Sequence, residues 1–219
     1  MKVGTDGVLL GAWAGVEGVK NILDIGAGTG LIALMLAQRA PKALVDGVDL
    51  DAASGGQAAE NAAASPWSER VKIIPGAIQQ YAETCSGQYE LAVSNPPFFR
   101  DSLKSPVDAR NKVRHAEALS FGDLLRVVDK LRAPGGRLCL ILPPAEGAVF
   151  EETALSFGFF ATRLREVRSR PGKPVERVLM QFERESRAPV REPVLVLHLD
   201  DTARRSPAYA QLTEDFYLV

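Results

Sequence analysis

KNILDIGAGTGLIALMLAQRA, residues 20–40, is where the chain declares its fold. Ile22, Leu23 and Ile25 make a short apolar run with strand character. Three glycines follow, Gly26, Gly28 and Gly30, and from Leu31 onward apolar residues recur at helical spacing. A strand that turns through glycines straight into a helix opens a βα unit. Such a loop lets backbone approach a ligand closely and aims helix N-terminal N–H groups at it. The alternative is a bare tight turn. The spacing is G-x-G-x-G, whose last glycine comes one residue too early for a dinucleotide fingerprint. Asp24 sits on the strand just before the turn, where a carboxylate can hold a cationic or hydrogen-bonding ligand.

Outward from this unit the alternation continues. ALVDGVDLD (43–51), VKIIPGA (71–77), YELAVSN (89–95) and GRLCLILP (136–143) read as strands. AASGGQAAENAAAS (52–65) and FGDLLRVVDKLRA (121–133) read as helices between them. Apolar strands alternating with helices predict an α/β fold whose mostly parallel sheet is covered on both faces. After Pro144 come one more helical pattern and three β-like segments, FATRLREV, ERVLMQFE and PVLVLHL. Hairpin pairing there predicts an antiparallel edge.

Twenty-six basic residues against twenty-seven acidic ones leave a net charge of −1, so no global field attracts nucleic acid. Any polyanion site must come from local clustering. The two cysteines, Cys85 and Cys139, are too few for a disulfide framework, which predicts a reducing, cytoplasmic setting. No apolar run reaches the length of about eighteen residues that a membrane helix needs. His115 and His198 are far apart and lack ligand-like neighbours, so neither a metal site nor a His-based triad is expected.

Two strand ends carry further chemistry. Asp49 closes the second strand, where it can accept both ribose hydroxyls of a nucleoside; Asp51 is open between that role and capping the next helix. VSNPPFF (93–99) ends the fourth strand. Proline cannot donate to a sheet ladder and pushes its predecessor out of helical conformation, so Asn95-Pro96-Pro97 is a stiff extended turn. Phe99 reads as core, whereas Phe98 is available for stacking on a planar acceptor. In the N-terminal cluster Lys2, Thr5 and Asp6, either of the latter two could cap the apolar helix that follows, and Trp13 reads as core.

An acidic residue before G-x-G-x-G, a second ending strand two, and Asn-Pro-Pro-aromatic ending strand four resemble S-adenosylmethionine-dependent methyltransferases. The likeness narrows with MKVGTDGVLLGAW at the start, NPPFF followed by RHAEALSFGDLL, and the closing SPAYAQLTEDFYL. Together these are similar to the bacterial tRNA1(Val) (adenine(37)-N6)-methyltransferases, over essentially the full chain. The resemblance implies a Rossmann-like class I methyltransferase with a mostly parallel seven-stranded sheet, helices on both faces and an antiparallel edge hairpin. It also implies one domain over 1–219, without the basic N-terminal segment that members of that family carry, and a monomer in the cytoplasm.

The resemblance assigns roles as well. Asn95, Pro96, Pro97 and Phe98 become the acceptor-site core. Thr5, Asp6, Asp24, Gly26, Ala27, Gly28, Gly30, Asp49, Leu50, Ala77, Ile78 and Asn95 become contacts of S-adenosyl-L-methionine, with S-adenosyl-L-homocysteine as product. Members usually place an acidic residue after strand three to read the cofactor's adenine. Here Ala77 stands at that point, which hands the task to backbone at Ala77 and Ile78 or to Gln79. The implied partner is the anticodon region of tRNA(Val), with no membrane and no metal. A glutamine amide offers the same planar NH2 as adenine, so the turn alone also admits a release-factor glutamine methyltransferase or a guanine-N2 enzyme. A non-enzymatic RNA binder is the reading from a different class.

Two basic clusters are candidate RNA contacts. RDSLKSPVDARNKVR (100–114) holds Arg100, Lys104, Arg110, Lys112 and Arg114 against two aspartates. RLREVRSRPGKPVER (163–177) includes Arg168, Arg170 and Lys173. Phosphate contacts by such residues would make binding steeply salt-dependent.

Overall fold

The computed structural model describes residues 4–96, 119–201 and 204–217. Pro97, Phe98, Phe99 and the whole first basic cluster lie outside the described residues. The strands are β1 (Asn21–Ile25), β2 (Leu44–Asp49), β3 (Val71–Pro75), β4 (Tyr89–Ser94), β5 (Arg132–Leu142), β6 (Phe160–Arg168) and β7 (Arg177–Glu183), with two short ones, β8 (Val190–Arg191) and β9 (Leu195–Val196). They form one sheet in the order β3-β2-β1-β4-β5-β7-β6-β8, with β9 also paired to β6.

Strands β1 to β5 are mutually parallel, and β7 runs antiparallel between β5 and β6. This corrects one expectation, the strand count, and adds a detail to another. Among the described residues the sheet has nine strands, because two-residue stretches near the end of the chain pair in parallel with β6. The β6–β7 hairpin forms as expected, but β7 folds back inside, next to β5, so the outer edge is β6 with its two short additions.

Helices cover both faces. Four pack on one side: α1 (Thr5–Trp13), α2 (Leu31–Arg39), α3 (Ala52–Ala63) and the C-terminal α7 (Pro207–Leu212). On the other lie α4 (Ile78–Thr84), α5 (Phe121–Leu131) and α6 (Pro144–Ser156). Helices on both faces explain why β1 and β4 are buried almost throughout rather than alternating. Helix α5 shows the opposite pattern. Ser120 caps it by accepting from the Asp123 N–H, and it buries Leu124, Leu125, Val127, Val128 and Leu131 while Arg126 and Lys130 face solvent. Phe150 of α6 is fully buried edge-on against Phe121 (5.0 Å) and Phe182 (5.1 Å).

Helix α1 is buried from Gly7 to Trp13 because it is packed from several sides. A Cβ at Gly11 would stand 2.8 Å from Met35 Sδ and 3.1 Å from Met35 Cβ, so a larger residue would require Met35 to shift for α1 to lie this close to α2. Arg39 of α2 donates to the carbonyls of Gly11 (2.8 Å) and Ala14 (2.6 Å), which satisfies the end of α1. Trp13 is core, as expected, and its indole N–H donates to Glu192 (3.1 Å). Among the described residues no helix is long and apolar enough to cross a membrane.

Candidate active site

Strand register brings the separate motifs to one edge of the sheet. Ile25 pairs with Val48 on one side and Ser94 on the other, and Asp49 pairs with Pro75. Gly26, Asp49 and Asn95 therefore stand side by side just past the carboxyl ends of β1, β2 and β4, with Gly76 and Ala77 beyond. Four neighbouring strands at about 4.8 Å spacing span about 14 Å, the reach of an extended nucleoside carrying an amino-acid chain.

The glycine loop is built differently from the sequence expectation. Gly26, Gly28 and Gly30 all have left-handed backbone (φ +75°, +56° and +80°), which side chains disfavour. Four of its amides are engaged within the protein. Gly26 and Ala27 N–H both donate to the Val48 carbonyl (2.9 and 3.2 Å), and Gly30 N–H donates to Ala27 (2.8 Å). Gly28 N–H donates to Asp49 Oδ2 at 2.6 Å. With these donors spent internally, the loop offers no nest for a pyrophosphate, which argues against a dinucleotide. What it does offer is room: a Cβ built on Gly26 or Gly28 meets nothing within 4 Å. Ala27 is buried, lying over Gly47 of β2, so its place in the site is structural.

Asp24 is fully buried. Its Oδ2 accepts the Ala33 N–H in the first turn of α2 (3.0 Å), while Oδ1 is buried with no hydrogen-bond partner. Burial pushes the carboxyl up to about 7; the Ala33 bond offsets part of the rise, and the nearby Asp49 charge adds to it. A buried carboxylate oxygen without a donor asks for a cation or a hydrogen-bond donor. Together with the open space over the glycines, this fits a ligand carrying an ammonium group, as the implied cofactor does.

Asp49 is the keystone of the cradle. Besides Gly28, its Oδ1 accepts the Asp51 N–H at 2.8 Å. Each oxygen keeps lone-pair capacity for a ribose hydroxyl. Asp51 caps α3 through the N–H groups of Ala53 and Ser54, one of the two roles open from sequence. Leu50 is 54% exposed beside it, an apolar surface suited to the face of a base. At the end of β3, Ala77 is the N-cap of α4 and provides no side-chain cap. The Ile78 side chain is core, so only its backbone can serve the site.

At the other end, Ser94 Oγ donates to the Ile25 carbonyl (2.9 Å) and ties β4 to β1 just below the site. Asn95 follows, half-buried, and Pro96 is buried. No hydrogen bond joins the Asn95 amide to another described residue. Asn95 also forms part of a cleft of about 430 Å3, with Gly4, Thr5, Asp6, Ser169 and Arg177 among its lining and Leu9, Val167 and Leu197 as its apolar surface. Asn95 thus separates the glycine cradle from this cleft.

Thr5 and Asp6 do not cap α1, since Gly4 holds the N-cap position. Thr5 is exposed at the cleft. Asp6 Oδ2 accepts from Arg177 Nε at 2.8 Å. The sequence placed Arg177 in a basic cluster without a role, and nothing local signals its partner. Of the other candidates there, Lys173 is exposed, Arg170 pairs with Asp201, and Arg168 is half-buried with its Nε atom unpaired.

Comparison with known proteins shows the family. Residues 9–135 match the family model "Methyltransferase small domain". The tRNA1(Val) (adenine(37)-N6)-methyltransferase of Trichodesmium erythraeum is 43% identical over 220 residues, covering 100% of this chain and 91% of its own. That of Yersinia pseudotuberculosis serotype O:3 is 42% identical over 219 residues, covering 100% and 86%. Among solved structures, a protein described as a predicted O-methyltransferase from Agrobacterium tumefaciens shares the fold with a TM-score of 0.75 at 22% identity, over 96% of both chains. With matches of this extent, the chain belongs to the tRNA1(Val) (adenine(37)-N6)-methyltransferase family.

Proposed function

We propose that the protein transfers a methyl group from S-adenosyl-L-methionine to the exocyclic N6 of adenine 37 in tRNA(Val). The observation that carries this reading is the position of Asn95, whose amide has no hydrogen bond to another described residue, between a cradle suited to a cationic nucleoside and a cleft wide enough for a nucleobase. The curated relatives named for this reaction support it.

An amino group conjugated to adenine is a weak nucleophile, because its lone pair is delocalised into the ring. Asn95 Oδ1 and the Pro96 carbonyl can each accept one of its two hydrogens. Held this way, the nitrogen is favoured to pyramidalise and its lone pair is aimed across Asn95 toward the cradle. The stiffness of the turn makes that arrangement preorganised. Asp24 Oδ1 would hold the ammonium of the cofactor's methionine part, Asp49 its ribose hydroxyls, and Leu50 with the Ala77–Ile78 backbone its adenine. When bound, the cofactor supplies a methyl group on a positively charged sulfur, so attack leaves a neutral thioether. The surplus proton on N6 is acidic once the bond has formed and can leave to water, so the chain needs no dedicated base.

The test is transfer of a labelled methyl group to tRNA(Val) transcripts bearing adenine or guanine at position 37, followed by nucleoside analysis. Label recovered as N6-methyladenosine from the adenine transcript alone is the expected result. Label on both transcripts, or only on a protein acceptor, would overturn it.

A further inference from the structure

We propose that Asp6 and Arg177 act as one latch that fixes the wall of the acceptor cleft, so that Asp6 serves the tRNA side of the site and not the cofactor. The inference rests on the reading above, in which the cleft beside Asn95 receives the target nucleotide.

Three observations place the latch there. First, the Asp6 carboxylate is engaged by Arg177 Nε at 2.8 Å, and both residues line the cleft that Asn95 borders. Second, Arg177 is turned back toward the start of its own strand, since its Nη1 donates to the Glu176 carbonyl (2.7 Å). The guanidinium therefore bridges the start of β7 and the first turn of α1, and the carboxylate also suits the positive end of that helix. Third, the neighbouring Gly7 packs closely on α2, where an added Cβ would lie 3.2 Å from Leu31 Cδ2. Leu31 directly follows Gly30 of the glycine loop. The first turn of α1 is thus held between the cofactor loop and β7, and the ion pair sets the cleft side of that grip.

The groups suited to the cofactor hang on other elements. Asp24, the glycines and Asp49 belong to β1, β2 and their loops, and among the described residues the hydrogen bond and ion pair of the Asp6 carboxylate go to Arg177 instead. Releasing the latch should shift the cleft wall and leave the cradle in place. Arg177 and Asp6 are positioning residues in this account.

The experiment measures tRNA(Val) methylation kinetics and, separately, S-adenosylmethionine affinity by calorimetry for Asp6→Asn, Arg177→Ala, Arg177→Lys and the double variant Asp6→Asn/Arg177→Ala. Each single loss should lower kcat/KM for tRNA by about 100-fold, the scale of a misplaced reactant. Cofactor affinity should stay within about twofold of wild type, far less than the tenfold that 1.4 kcal/mol represents. The double variant should be no worse than the worse single one, and Arg177→Lys should recover part of the loss. A more than tenfold weaker cofactor affinity in Asp6→Asn would overturn the proposal by making Asp6 a cofactor ligand. Single losses that multiply in the double variant would overturn it by showing independent roles. Should wild type bind cofactor yet label no tRNA, the function proposed above fails instead. The latch is then judged on melting temperatures, where additive shifts for the two substitutions would reject it and non-additive shifts would uphold it.

Discussion

Between β3 and β1 the edge of the sheet is shaped by backbone, and between β4 and β6 it is shaped by side chains. On the first side, left-handed glycines, amides paired to Val48 and a single carboxylate at Asp49 fix the cradle within two consecutive βα units. On the second, α1, β4, β6 and β7 each send residues to a cleft whose key ion pair joins positions 171 apart. The cradle can hardly change without losing the fold. The cleft can be retuned by side-chain exchange.

The largest effect should come from the residue shared by both sides. Asn95→Ala removes an acceptor for the N6 hydrogens, and methyl transfer should fall about 1,000-fold, the upper range for losing one preorganised polar contact. Cofactor affinity should be nearly unchanged in a parallel binding titration. Comparable losses in both would erase the distinction between the two sides.

Next is Asp49→Ala, which strands the N–H groups of Gly28 and Asp51 and removes the candidate ribose acceptor. Each charge-assisted bond is worth about 1.5–3 kcal/mol. S-adenosylmethionine affinity should drop by about 100-fold, with a lower melting temperature, as read by calorimetry and thermal unfolding.

A third, smaller effect concerns pH. Asp24 is raised to about 7 by burial, so below that pH it is mostly protonated in the free protein. Binding an ammonium at Oδ1 favours the ionised form, so affinity should fall as pH drops through 7, by at most about tenfold per unit, and level off above it. Asp24→Asn should flatten the profile. For folding the sign is opposite: because this carboxyl is raised above its unfolded value of 3.8, its own contribution to stability is fully present below 3.8 and is lost as pH rises toward 7. Cofactor affinity and unfolding free energy should therefore slope in opposite directions between pH 5 and 7, which a paired titration would check.

The smallest expected effect lies at the far rim of the acceptor side. Lys173→Ala should lower the slope of log affinity for tRNA against log salt by about one if Lys173 meets a phosphate. Arg170→Ala should change it less, because Arg170 is already paired with Asp201.

The same division explains what could be read from sequence. The parallel sheet, its order of βα units and the cradle residues were legible because each motif is local: a strand, a few glycines, one carboxylate at a strand end. The direction of the loop amides was not, because it depends on the Val48 carbonyl of the neighbouring strand. The position of β7 inside the sheet was equally hidden, since a hairpin sequence specifies antiparallel pairing but not which of its strands meets β5. Asp6 shows the limit most clearly. Its place near a helix start suggested a cap, the family resemblance implied a cofactor contact, and only the fold brings it to Arg177.

The most direct test is a crystal structure with S-adenosyl-L-homocysteine and a short RNA hairpin presenting the target adenine. The account predicts the nucleoside product along Asp24, Gly28 and Asp49, the base in the cleft bordered by Thr5 and Arg177, and Asn95 between the two with its side-chain oxygen on N6. A base bound away from Asn95, or a cofactor product lying in the cleft, would contradict it.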